Sequence, residues 1–369
     1  MFRVLLLGAG KIGRAIARLL AHGGDFEVLV ADVDARALAR VEDLPNVRTR
    51  RIDVTSPREL EDAATGCRAV VSACSFAVNA AIARSALATG ASYFDLTEDV
   101  ETTREVRRVA AEARPGQIFM PQCGLAPGFI NIAGFHVTQG FDKLDEVRLR
   151  VGALPQFPSN ALKYNLTWST DGLINEYCNP CEVIHEGKKM EVLPLEGLEH
   201  FSLDGIDYEA FNTSGGVGSL SETLASRVRT LDYKTVRYAG HRDLVAFLVN
   251  DLRLATRRAL LKDILESAIP ITLQDVVLIF VTVTGWKDGT LTQVTDARKV
   301  YHAVVHGEPW SAIQITTAAG LCAVLDLHRE GALPDRGFVR QEQVSLDAFL
   351  ANRFGRSYVQ HGQSTLSPL

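Results

Sequence analysis

Long apolar runs are missing from this chain. No stretch has the length and hydrophobicity of a membrane span. The first apolar run, Phe2 to Leu7, is short and stops at a glycine loop, unlike a secretion signal. Basic clusters are missing too. The 39 Lys and Arg are dispersed and outnumbered by 44 Asp and Glu, for a net charge of −5. Neither a nucleic-acid footprint nor a face for anionic membranes is expected. A second cysteine pair is also lacking. Cys178 and Cys181 form one C-x-x-C, and a zinc site would need two further ligands. The six cysteines are therefore expected to be free thiols, with no metal. There is no internal repeat and no low-complexity block. What remains is a 369-residue chain, 47% apolar and 22% charged. That suffices for a sizeable core and two domains, in the cytoplasm by default.

Residues 1–120 alternate between two patterns. Short apolar runs at 3–7, 27–31, 69–73 and 117–120 suit buried parallel strands. Helical patterns lie between them at about 11–21, 35–42, 77–89 and 100–113. This βαβ alternation predicts an α/β fold with a doubly wound, Rossmann-type parallel sheet. After Gly128 the pattern changes. Val147, Leu149 and Val151 alternate with Arg148 and Arg150, as in a half-exposed strand. Segments 181–193 and 275–306 read as hairpins turning at Glu186-Gly187 and Asp288-Gly289. A second domain, 121–310, with a mainly antiparallel sheet and a few helices, is expected. Residues 311–329 look helical, 331–344 loop-like, and 345–353 helical before a polar tail ending at Leu369. The stretch 311–355 is expected to pack back on the first domain.

The sharpest local signal is Gly8-Ala9-Gly10-Lys11-Ile12-Gly13, which follows a strand and opens a helix. Gly8 permits the turn, Gly10 leaves room for a pyrophosphate, and Gly13 lets helix and strand approach. The first helical amides, at Lys11 and Ile12, then meet the phosphates with a partial positive charge. Asp32 ends the second strand, about 20 residues on, where a carboxylate binds ribose hydroxyls and repels a 2′-phosphate. NAD is therefore the expected cofactor, although Arg36 and Arg40 follow closely. Asp53, after the third strand, and Ser72 and Cys74, after the fourth, fall on loops at the carboxyl edge of the sheet. They would line the cofactor groove or be plain loop.

Further motifs carry a resemblance. They are Cys123-Gly124-Leu125-Ala126-Pro127-Gly128, the run Thr167-Trp168-Ser169-Thr170-Asp171-Gly172-Leu173-Ile174-Asn175-Glu176-Tyr177, Ala210 to Gly216, and Asp232 to His241. With the glycine loop, they make the chain resemble the saccharopine dehydrogenase-like family over nearly its whole length, and within it the lysine 6-dehydrogenase branch. The resemblance implies a Rossmann domain, an inserted substrate domain, a nicotinamide cofactor and redox chemistry at a carbon–nitrogen bond. It also implies a homodimer formed through the substrate domain. Saccharopine reductases typically carry Gly-Leu-Asp-Pro-Gly where this chain has Ala126, which favours the lysine-oxidising branch.

That branch would oxidise the ε-carbon of L-lysine to allysine, which cyclises, with release of ammonia. Only a neutral amine can expel a hydride, and the lysine ammonium titrates near 10.4. The site must remove a proton and hold the α-carboxylate and α-ammonium. Asp95, at the end of the fifth strand, is a candidate base or amine anchor, or a helix cap. His241 is a candidate proton relay, and Cys123 a candidate at the domain junction. Arg237 and Lys163 suit the carboxylate, Asn175 and Glu176 the amine, and Thr213 and Ser214 an anion at the following glycines. Two alternatives stand beside this reading. One is a saccharopine or carboxynorspermidine dehydrogenase; the other is a non-catalytic NAD-binding regulator.

Overall fold

The computed structural model describes residues 1–359, and the polar tail at 360–369 lies outside the described residues. Six strands build the first sheet in chain order: β1 (Phe2–Leu7), β2 (Phe26–Asp32), β3 (Val47–Arg51), β4 (Ala69–Ser72), β5 (Ser92–Asp95) and β6 (Ile118–Met120). All pair in parallel, in the spatial order β6-β5-β4-β1-β2-β3. β4, β5 and β6 are buried along their whole length, as central parallel strands require. β3, Val-Arg-Thr-Arg-Arg, sits at the outer edge and tolerates polar side chains, which is why it carries no apolar run. The helix expected at 35–42 is a single turn, Ala35–Leu38, closed by hydrogen-bonded turns.

The second sheet has eight strands. β7 (Lys143–Pro155), β8 (Cys181–His185), β9 (Lys188–Val192), β10 (Glu199–Leu203), β11 (Ile206–Asn212), β12 (Thr230–Tyr238), β13 (Asp275–Lys287) and β14 (Thr290–Tyr301) run mainly antiparallel. The exception is β7 beside β12, which pair in parallel. The two hairpins turn where expected, at Glu186-Gly187 and Asp288-Gly289. A small hairpin, β15 (Ala303–Val305) with β16 (Glu308–Trp310), follows.

The chain then returns. Helix Ala312–Arg329 is buried on nearly every side, against helix Lys11–Gly23 and β13. Its N-terminus is fixed twice. Ser311 and Gln314 form a capping box, and the buried Asp275 carboxylate at the start of β13 accepts the amides of Ala312 and Ile313. At its other end Asp326 is clamped by Arg329, Arg353 and Asn352. Finally β17 (Gly337–Phe338) joins β6 as the seventh strand of the first sheet.

Candidate active site

The glycine loop has the geometry its spacing implies. Gly8 has φ +94, and a Cβ there would lie 2.8 Å from the Ala73 carbonyl oxygen. A Cβ on Gly13 would lie 1.9 Å from the Gly8 carbonyl oxygen, so helix and strand touch there. Around Gly10 the space is open, with nothing within 4 Å of a Cβ. Helix Lys11–Gly23 begins at Gly10 with no side-chain cap and no acidic residue in its first turn. Its free amides and dipole thus face empty space suited to an anion, the fit a dinucleotide pyrophosphate requires. Asp32 stands beside the loop and accepts the amides of Ala9 at 2.6 Å and Asp34 at 2.8 Å. Lys11 Nζ does not point along the loop. It donates to the Thr167 carbonyl at 3.1 Å, tying the loop to the second domain.

Between the carboxyl edge of the first sheet and the face of the second lies a cleft of about 1080 Å³, open solvent at its mouth included. Ile12, Cys74 and Glu98 line it from the first domain, Ala126 from the junction, and Trp168, Glu176, Thr235 and Arg237 from the second. Ser72 sits beneath, buried and bonded to Asn79 at 2.7 Å. Asp53 stands apart, exposed and outside the cleft. Its Oδ1 accepts the Thr55 amide and hydroxyl, which hold its carboxyl below the usual range.

Arg237 is the charged anchor of the cleft. It is 3% exposed, deep in the second domain. Nε donates to the Tyr177 hydroxyl at 3.0 Å and Nη1 to the Val236 carbonyl at 2.9 Å. Nη2 makes no hydrogen bond and faces Glu176 Oε2 at 4.0 Å. The guanidinium also lies over the Tyr164 ring, 4.9 Å from its centroid. His241 holds this arrangement from below. Its Nδ1 lies 2.7 Å from the Leu162 carbonyl and so carries the proton, which leaves Nε2 to accept from the Tyr177 hydroxyl at 3.0 Å. Burial, and then the Arg237 charge, push the imidazole down to about 3. A ring so held stays neutral and orients Tyr177, and Tyr177 orients Arg237.

Glu98 and Glu176 are the second feature. Burial pushes Glu98 up to about 7, helped by the charges of Asp99 and Asp95. Burial pushes Glu176 up to about 8; Arg237 pulls it down and Glu98 pushes it further up. Two glycines of the motif segments close around Glu98. A Cβ on Gly172 would lie 3.0 Å from Glu98 Oε1, and one on Gly215 2.6 Å from the Glu98 carbonyl oxygen. Glu98 lies three residues past the end of β5, among the cleft-lining loops, and no local signal separates it in sequence from Asp95.

The other candidates are placed as follows. Asp95 lies below the cleft, fully buried, and accepts from the Tyr93 hydroxyl and the amides of Thr97 and Gln122. Cys123 is buried against the Met120 carbonyl and Gln341, its thiol pushed far above the ordinary range by burial. Lys163 is exposed and donates to the Ala239 carbonyl at 2.8 Å, away from the cleft. Thr213 bonds Thr235 at 2.9 Å, and Ser214 bonds the Pro180 carbonyl at 2.9 Å. Asn175 accepts from Arg258 at 2.9 Å. Cys178 and Cys181 are free.

Comparison with known proteins gives this architecture its relatives. Residues 4–120 match the model of the saccharopine dehydrogenase NADP binding domain, and residues 124–355 that of the saccharopine dehydrogenase C-terminal domain. The chain belongs to the saccharopine dehydrogenase family. A curated relative, saccharopine dehydrogenase [NADP(+), L-glutamate-forming] of Schizosaccharomyces pombe, is 21% identical over 67% of this chain and 57% of its own length. The chain therefore matches little more than half of that protein. Among solved structures, the L-Glu-forming saccharopine dehydrogenase of Saccharomyces cerevisiae has the same fold. Its TM-score is 0.77 at 17% identity, over 97% of this chain and 96% of the other. A homospermidine synthase from Legionella pneumophila, solved with NAD, has a TM-score of 0.63 at 14% identity, over 97% and 89%. Among the described residues no helix is long and apolar enough to cross a membrane.

Proposed function

We propose that the protein is an NAD-dependent L-lysine 6-dehydrogenase, forming allysine, which cyclises, and releasing ammonia. The observation that carries this reading is the pair Arg237 and Glu176, 4.0 Å apart in the cleft wall, with Arg237 Nη2 unbonded. The guanidinium suits the carboxylate of an amino acid's zwitterionic head, and Glu176, which ionises once an ammonium stands against it, suits the ammonium. Held by that head, the substrate's tail extends toward Cys74 and Glu98 on the first domain. NAD, when bound along Gly8–Gly13, supplies the hydride acceptor. Gly10 would admit the phosphates, and Asp32 would receive the ribose diol. The cleft walls, Trp168 and Leu96 among them, exclude water from the reacting carbon. Ala126 at the cleft mouth adds to this reading, since it puts a methyl group where saccharopine reductases carry a carboxylate.

The test is NADH absorbance with L-lysine, without 2-oxoglutarate, alongside saccharopine and with NADP in parallel. Lysine-dependent reduction of NAD, faster than of NADP, is expected. Turnover of saccharopine but not lysine overturns the substrate, and equal or better use of NADP overturns the cofactor. A homodimer in the cytoplasm belongs to the same proposal, and sedimentation velocity reads its mass.

A further inference from the structure

Behind the cleft lies a second cavity of about 720 Å³, open to solvent. Glu98 and Glu176 line both spaces, so the two carboxylates form the partition between them. The outer cavity is acidic. Asp99 and Glu101 come from the segment after β5, and Glu182 and Glu191 from the β8–β9 hairpin. Arg104 is the basic residue of its lining, and it is paired with Glu101 and Glu182; Lys189 also pairs with Glu182. Asn175, beside Glu98 and Glu176 on the wall of the outer cavity, is 7% exposed. Its Nδ2 comes near enough to Glu98 to lower that carboxyl but completes no hydrogen bond. The Glu176 carboxylate makes no hydrogen bond and has the Arg237 guanidinium, at 4.0 Å, as its ion-pair partner. Buried polar groups left unpaired in a native fold mark a place where something else binds or passes. Here that place faces an acidic vestibule on one side and the cleft on the other.

We propose that Glu98 takes the proton from the substrate's reacting ammonium and hands it through the acidic vestibule to solvent. The inference rests on the amine-oxidising reading given above. In the first step an N–H bond of the ammonium breaks and an O–H bond forms on Glu98, leaving a neutral amine and a neutral carboxylic acid. In the second, the Glu98 O–H gives its proton to water in the vestibule, and the carboxylate returns. The division of labour follows from position. Glu176, beside Arg237, belongs to the head of the substrate. Glu98 stands on the first domain, on the loop after β5, beside the loop that carries Cys74. The charged groups facing Glu98 are Asp95 and Asp99 on its own segment and Glu176 on the opposing helix. Arg237 acts on it only across Glu176. None of these holds Glu98 ionised, so its proton affinity is near that of a base working at neutral pH. The vestibule carboxylates favour passage of a cation and oppose entry of an anion.

Two variants and a measurement without substrate test this. Glu98→Gln keeps the shape that Gly172 and Gly215 enclose but cannot accept a proton. Its kcat should fall by on the order of 10²–10⁴, with NAD affinity unchanged, and the remaining rate should lose the ionisation near neutral pH. Glu98→Ala opens room for formate, and added formate should restore turnover with saturation. In the absence of substrate, infrared titration should show a protonated-carboxyl band that disappears near neutral pH in the wild type and is altered in Glu98→Gln. A loss under threefold in Glu98→Gln overturns the proposal. So does a large loss with an unchanged pH profile and no rescue by formate in Glu98→Ala. If the wild type oxidises no lysine, the functional reading fails, and the infrared titration still decides Glu98: an unchanged band in Glu98→Gln overturns its role.

Discussion

The cofactor loop and the substrate cleft of this protein are built on opposite plans. The loop is local. Six consecutive residues between a strand and a helix define it, and Gly8, Gly10 and Gly13 each have a separate steric reason to be there. The cleft is assembled from afar. Its charged groups come from the loop after β5, from helix Thr170–Cys178 and from β12, and Glu98 and Arg237 are 139 positions apart in a chain of 369 residues. A local site tolerates little change at its own positions and is indifferent to distant ones. A dispersed site depends on groups that touch no ligand, such as His241 behind Tyr177.

Substitutions in the two regions should therefore fail differently. The largest effect is expected at Gly13→Val. A side chain there meets the Gly8 carbonyl at 1.9 Å, so the protein should not fold. At Gly10→Val, three residues away, the added Cβ has nothing within 4 Å, and the variant should fold normally. It should lose NAD affinity by on the order of 10², about 3 kcal/mol of phosphate–amide bonding displaced. Circular dichroism with calorimetric NAD titration separates the two outcomes, and a folded Gly13→Val would break the local picture.

In the dispersed site, Arg237→Gln removes the buried cation and leaves Glu176 without it. A loss of about 2–5 kcal/mol in kcat/KM for the amino acid is expected. Lys163→Ala, at the exposed position, should leave kcat/KM unchanged. Equal losses in both would place the carboxylate elsewhere.

Asp95→Asn comes next. Its carboxylate accepts three hydrogen bonds, and an amide cannot accept them all. Stability should drop by about 1–3 kcal/mol, read as a lower urea midpoint, while the pH–rate profile keeps its ionisation and moves only toward lower pH, since the Asp95 charge no longer raises Glu98. Loss of that ionisation with normal stability would instead return Asp95 to the chemistry.

The smallest effect concerns pH and Glu176. Its carboxyl is raised to about 8 in the folded state. Between an unfolded value near 4.3 and about 8 the folded state holds the extra proton, so stability falls as pH rises through that window. Glu176→Gln should remove this slope. At pH 8.5 the variant should be more stable than the wild type by at least about 1.4 kcal/mol, the equivalent of one pKa unit. At pH 4 the two should coincide. Thermal melts at both pH values check it, and a variant less stable at pH 8.5 contradicts it.

Local signals were legible in proportion to how local the structure is. The parallel strands, the glycine loop and both hairpin turns follow from spacing, because strand period and turn residues are properties of neighbours in sequence. β3 was harder to see, since an edge strand need not be apolar. The parallel pairing of β7 with β12 left no mark, for it joins segments some eighty residues apart. At the site, the residue types in the motifs marked Arg237 and Glu176 as cleft material. Nothing in sequence distinguished Glu98 from Asp95, or revealed that Lys163 points away. Those facts depend on which glycines leave room. Gly172 and Gly215 belong to two separate motifs, and what they share is a neighbour, Glu98, on another domain.

The late strand β17 has a consequence for how the protein is made. A ribosome delivers the chain from its N-terminus, and the first domain begins to fold as it emerges. Yet the edge of β6 stays uncovered until Gly337 and Phe338 have been synthesised, and helix Ala312–Arg329, which packs on helix Lys11–Gly23, arrives only slightly earlier. For most of translation the nascent first domain presents an unpaired edge and a bare helix face, the surfaces that invite association between chains. The whole second domain is made during that wait. Chaperone protection is then needed longest by the half of the protein that leaves the ribosome first.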